Sequence, residues 1–157
     1  MTFAPLWSGL EATVVARTIQ ESQFLTGFLS ALHALGMTLL TGAVVVSSLR
    51  LLGVAFAASP PADVTRAASA GILAGLALSV VTGLLLFSTR ATSAVENEYF
   101  QLKMALLAAA VGYHFAIHRR LLASSLPSEP GSRAAGALAI VLWMGVAAAG
   151  AAYILLE

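Results

Sequence analysis

Residues 67–88 read AASAGILAGLALSVVTGLLLFS. No charged residue interrupts these 22 positions. At ~1.5 Å per helical residue the stretch is long enough to cross a hydrocarbon layer of about 30 Å. Ala67, Gly71, Gly75, Ser79 and Gly83 recur every fourth residue and make a smooth line down one helix face. Such a line lets a second helix approach closely, which is how helices associate where lipid supplies no hydrophobic drive. A flat cofactor lying on Gly75 and Ser79 is the alternative.

Working outward from this helix, three further stretches have the required length and apolarity: about 24–52, 101–117 and 134–156. Turn-forming segments separate them: ASPPAD between spans one and two, TRATSAVENE between two and three, SSLPSEPGSR between three and four. Residues 5–20 begin at Pro5 and place Leu6, Leu10 and Val14 four apart beside Trp7. This predicts an amphipathic helix lying in the membrane interface. The reading is a single membrane domain over 1–157, an all-α transmembrane four-helix bundle with an N-terminal interfacial helix.

Composition agrees. The 157 residues are 59% hydrophobic and 10% charged, with a mean hydropathy of +0.92, more apolar surface than a soluble domain of this size can bury. The bilayer is therefore the first expected partner, with other membrane subunits or further copies of the chain beside it. A net charge of +1 without a basic, aromatic-bearing stripe argues against nucleic acid. The absence of cysteine excludes thiolate metal sites and cysteine nucleophiles. No phosphate-cradling glycine loop, zinc-protease motif or serine elbow occurs, so no catalytic activity is expected. The spans hold no carboxylate, which argues against a carboxylate relay.

Arg50, Arg66, Arg119, Arg120 and Arg133 flank the first and third connections, whereas Arg17, Arg90 and Lys103 lie at the other ends of the spans. The positive-inside rule then places both termini outside the membrane they cross.

Span one differs from the others. Thr26, Ser30, His33, Met37 and Thr41 fall on one helix face. Polar groups facing lipid would be unsatisfied, so this face is expected to point into the bundle. His33 has three readings. It can hydrogen-bond a neighbouring helix. It can share a haem iron with His114 of span three: counted from the outer helix ends at ~1.5 Å per residue, His33 lies roughly 14 Å deep and His114 roughly 20 Å deep. Or it can join Met37, and Met104 if that residue points inward, in holding reduced copper. Lys103, opening span three, either snorkels to the interface or meets an anionic group such as a haem propionate. His118 reads as an interfacial residue beside Arg119 and Arg120.

Three motifs carry a resemblance. LRLLG (49–53) closes span one, TGLLLF (82–87) closes span two, and NEYFQLK (97–103) opens span three, in order after His33 and Gly36. Over Leu6–Leu121 the chain resembles a family of small bacterial four-helix membrane proteins of unknown function, distantly similar to the copper-resistance protein D group and, through it, to membrane b-type cytochromes. The resemblance implies a bacterial inner-membrane location and haem b as a candidate cofactor in a redox-associated subunit of a larger complex. That family carries an acidic residue before LRLLG, where this chain has Ser48. A purely structural or assembly subunit and a copper-handling protein are the competing expectations.

Overall fold

The computed structural model describes residues 4–123 and 130–156, with side chains over 5–117 and 132–156. All its regular elements are helices: α1 (Ala4–Glu11), α2 (Val14–Glu21), α3 (Gln23–Leu52), α4 (Pro61–Ser88), α5 (Ala91–Glu96), α6 (Glu98–Ala123) and α7 (Pro130–Leu155). Four of them, α3, α4, α6 and α7, are long and apolar enough to cross a membrane. No more than 22% of the most apolar stretch of any one is buried within the protein. Their remaining faces therefore need an apolar solvent, as a bilayer provides. His118, Arg119 and Arg120, and most of the third connection, lie outside the described side chains.

Local signals in the sequence explain the helix ends. Thr13 and Ser22 cap α2 and α3, accepting from the backbone N–H groups of Ala16 (3.3 Å) and Leu25 (3.2 Å). Thr13 also divides the expected interfacial helix into α1 and α2. LRLLG ends α3 in a Schellman motif. Gly53 adopts φ +77°, its N–H reaches the Arg50 carbonyl (3.1 Å), and the Val54 N–H reaches that of Leu49 (3.0 Å). The second connection forms the short α5, whose first turn offers the Thr92 N–H to a Glu11 carboxylate oxygen at 2.7 Å. Asn97 then caps α6, its Oδ1 accepting from the N–H groups of Tyr99 (2.9 Å) and Phe100 (3.2 Å).

The long helices form an arc in the order α4–α3–α7–α6. α3 packs closely on α4 and α7, α6 joins the arc through α7, and α4 and α6 barely meet. Glycines set the close contacts. A Cβ on Gly75 would lie 2.6 Å from the Leu40 nitrogen and 2.7 Å from the Gly36 oxygen; one on Gly36 would lie 2.9 Å from the Ser79 nitrogen. Gly71 faces Ala43 of α3 in the same way. The smooth line of α4 is thus covered by α3, the packing use of such a stripe. At the α3–α7 crossing a Cβ on Gly136 would lie 2.8 Å from the Ser48 carbonyl oxygen. Leu40, Val44, Ala68, Ile72, Ala110, Trp143 and Val146 fill the core where the four helices converge.

Candidate functional site

His33 sits where α3 leaves this core. Its Nδ1 lies 2.9 Å from the Ser79 carbonyl oxygen and 3.2 Å from Thr82 Oγ1. The Thr82 hydroxyl donates to the Leu78 carbonyl (2.6 Å), so it meets the imidazole with a lone pair. A carbonyl only accepts, so Nδ1 carries the proton and Nε2 keeps its lone pair in the neutral ring. Gly83 makes room for the ring: a Cβ there would lie 3.0 Å from His33 Cε1.

Two adjoining cavities share His33, Gly83, Phe87, Phe100 and Lys103. One, about 340 Å³, is almost wholly apolar and runs between α4 and α6, with Met37, Leu76, Val80, Leu84, Met104 and Leu107 on its walls and Trp7 at its end. The other, about 420 Å³, is its polar mouth, lined by Thr26, Ser30, Thr89, Arg90 and Tyr153. Four residues of the α3 polar stripe, Thr26, Ser30, His33 and Met37, thus face these cavities as expected. Edge-on and stacked rings close the end: Trp7 on Phe87 (5.8 Å), Phe87 on Phe100 (5.4 Å) and Phe100 on Tyr153 (5.6 Å).

Lys103 does not extend away from the bundle. Its aliphatic stem passes Gly150 of α7, where a Cβ would lie 3.6 Å from Cδ, and its side chain lines both cavities. Among the described residues it has no hydrogen bond or ion pair. The Tyr153 hydroxyl and Ser79 Oγ are buried without a hydrogen-bond partner among the described residues.

His114 lies elsewhere. It stacks edge-on against Phe115 (5.9 Å), and neither cavity includes it. Lys103 and His114 are eleven positions apart, roughly 16 Å along α6. Neighbouring Tyr113 donates to the Ala135 carbonyl (3.0 Å), at the opposite end of α7 from Gly150. The similar-depth expectation does not describe this arrangement, because it is Lys103, in the second turn of α6, that shares both cavities with His33, in the third turn of α3. Met37 and Met104, by contrast, both line the apolar cavity with His33. Among the described residues no three His, Asp or Glu side chains gather as a metal site.

A haem shared by His33 and His114 would need the glycine face of α4 and both imidazoles at one level. The glycine face that would carry the ring is taken up by α3, and His114 is not on the level of His33. The residues brought together do not fit a haem clamped between these two imidazoles.

Sequence reasoning missed Tyr153, Thr82 and the Phe87–Phe100 pair. Thr82 and Phe87 belong to TGLLLF, and Phe100 and Lys103 to NEYFQLK. Two of the three motifs therefore meet at one cavity, a convergence that no single span reveals.

Fold and site together define a polytopic all-α membrane protein with a cavity between its long apolar helices. The chain belongs to a family of unknown function, DUF6644, whose model matches residues 15–155. No curated protein and no solved structure matches the chain. The similarity expected to the copper-resistance protein D group and to b-type cytochromes thus has no support from these comparisons.

Proposed function

We propose that this membrane protein binds a hydrophobic small molecule drawn from the bilayer, in the cavity between α4 and α6. One observation carries the reading: an apolar cavity lined by His33 and Lys103 opens where two membrane-length helices fail to close on each other. A concave, mostly apolar site with a few converging polar groups is the usual form of a small-molecule site. Val80 (42% exposed), Leu84 (62%) and Met104 (46%) line the cavity and reach its outer surface together, so access is sideways, from lipid.

A diazirine-bearing alkyl alcohol, photolysed with the protein in vesicles, tests this. Saturable adducts on Val80, Leu84, Met104 and Leu107 are expected, above the level on outward residues such as Leu35 and Val141. Uniform, non-saturating labelling of all exposed apolar positions would overturn the reading. An absorption spectrum of the purified protein is expected to lack a Soret band; a stoichiometric band would restore haem as the occupant.

A soft-metal reading has one observation in its favour: Met104 shares the cavity with His33 and Met37, the imidazole and thioether ligands that suit reduced copper. Copper content compared between wild type and Met37→Leu decides it, and an unchanged or zero content removes it.

A further inference from the structure

The unsatisfied polar groups at the cavity say more than that its ligand is apolar. His33 Nε2 offers a lone pair because Nδ1–H is held by Ser79. Lys103 offers N–H donors that have no hydrogen-bond partner among the described residues. Tyr153 offers a buried hydroxyl with no hydrogen-bond partner among the described residues. A buried hydroxyl such as that of Tyr153 is costly unless something pairs with it. All three residues line the polar mouth, within a cage that includes the Phe87 and Phe100 rings.

We infer that the cavity takes the ring of a quinol, with its apolar tail leaving sideways between α4 and α6. This rests on the reading above and names its ligand class. The hydrogen-bond pattern selects the head. A quinol carries hydroxyl donors for His33 Nε2 and oxygens that accept from Lys103 and Tyr153. A carboxylate or phosphate head offers acceptors alone, which would satisfy Lys103 and Tyr153 but set a lone pair against that of Nε2. A simple alkyl alcohol carries one oxygen for three protein groups. A ring also suits aromatic walls, where flat faces stack or meet edge-on. The tail follows from the exposed, cavity-lining Val80, Leu84 and Met104, which form an apolar exit at bilayer depth.

Competition against the diazirine probe, with a decyl-tailed benzoquinol kept reduced under anaerobic conditions, tests this. The quinol is expected to displace the probe from Val80 and Leu84, and to do so better than the matching quinone, because only the reduced ring donates to Nε2. Lys103→Met should weaken quinol competition roughly tenfold and Tyr153→Phe about three- to tenfold, the range for lost hydrogen bonds to a charged and a neutral group. Neither residue has a hydrogen bond to lose within the described structure, so both variants should fold. His33→Leu should abolish the preference for quinol over quinone, a signature that a packing role would not move.

Saturable cavity labelling that the quinol fails to displace would overturn the quinol assignment while leaving the binding site intact. Decanoate competing as well as the quinol would overturn it in favour of an anionic amphiphile. Loss of saturable labelling altogether would remove the underlying reading as well.

Discussion

At Gly36, Gly75 and Gly136 a single methyl group decides how closely helices approach. An added Cβ at each meets backbone atoms of the facing helix at 2.6–2.9 Å, and backbone cannot swing aside as a side-chain tip can. Gly75→Ala and Gly136→Ala are each expected to destabilise the protein by about 1–3 kcal/mol, the range for overpacking a close contact. Gly27 and Gly112 sit on the same kinds of helix with open space around them. Their alanine variants should be neutral or gain up to ~1 kcal/mol from helix propensity. Unfolding of the purified variants in detergent micelles separates the two groups; equal effects at all four positions would contradict the packing argument. Gly83 is a mixed case, because its neighbour is the His33 ring. Gly83→Ala should cost less stability than Gly75→Ala yet disturb ligand binding more, since the imidazole can move only by loosening its bond to Ser79.

Among the elements, α6 depends most visibly on its first turn. Asn97 holds the N–H groups of Tyr99 and Phe100, and that turn aims Phe100 at Phe87 and sets Lys103 one turn deeper. Removing the cap with Asn97→Ala should cost ~1 kcal/mol, whereas Asn97→Asp should retain most of it. If the turn also positions Lys103, Asn97→Ala weakens probe binding while the distant Gly53→Ala, which strains the left-handed cap of α3, lowers stability without that effect. The helices themselves were legible because each long apolar run is bounded by turn chemistry, and because ProPro, Ser22 and Gly53 are local signals. The break between α1 and α2 was not, since the four-residue repeat of Leu6, Leu10 and Val14 runs straight through Thr13. Nor was α5, whose Thr92 N–H is held by Glu11, far away in sequence.

For the molecule as a whole, the unreadable quantity was the stagger between helices. The stripe of Thr26, Ser30, His33 and Met37 is visible in sequence because polar groups stand out in an apolar run, and in the structure these residues line the two cavities. Which residue of α6 stands opposite His33 depends on how far α3 extends past the start of α6, a tertiary offset of several ångströms. That offset brings Lys103 and Met104 to the cavity and leaves His114 out. The same arc puts both ends of the bundle on defined sides. The α5 connection closes the His33 end, and the Phe56 turn, held where Arg50 Nε donates to the Ser59 carbonyl (2.6 Å), marks the other. The positive-inside rule gives the expectation that the Phe56 turn faces the cytoplasm. The natural absence of cysteine makes this directly testable. Ser93 and Ala57 are exposed positions in the two connections. In intact cells, Ser93→Cys should react with a membrane-impermeant maleimide, and Ala57→Cys should react only after permeabilisation. The reverse pattern would invert the protein in its membrane and place the polar mouth of the cavity at the cytoplasmic face.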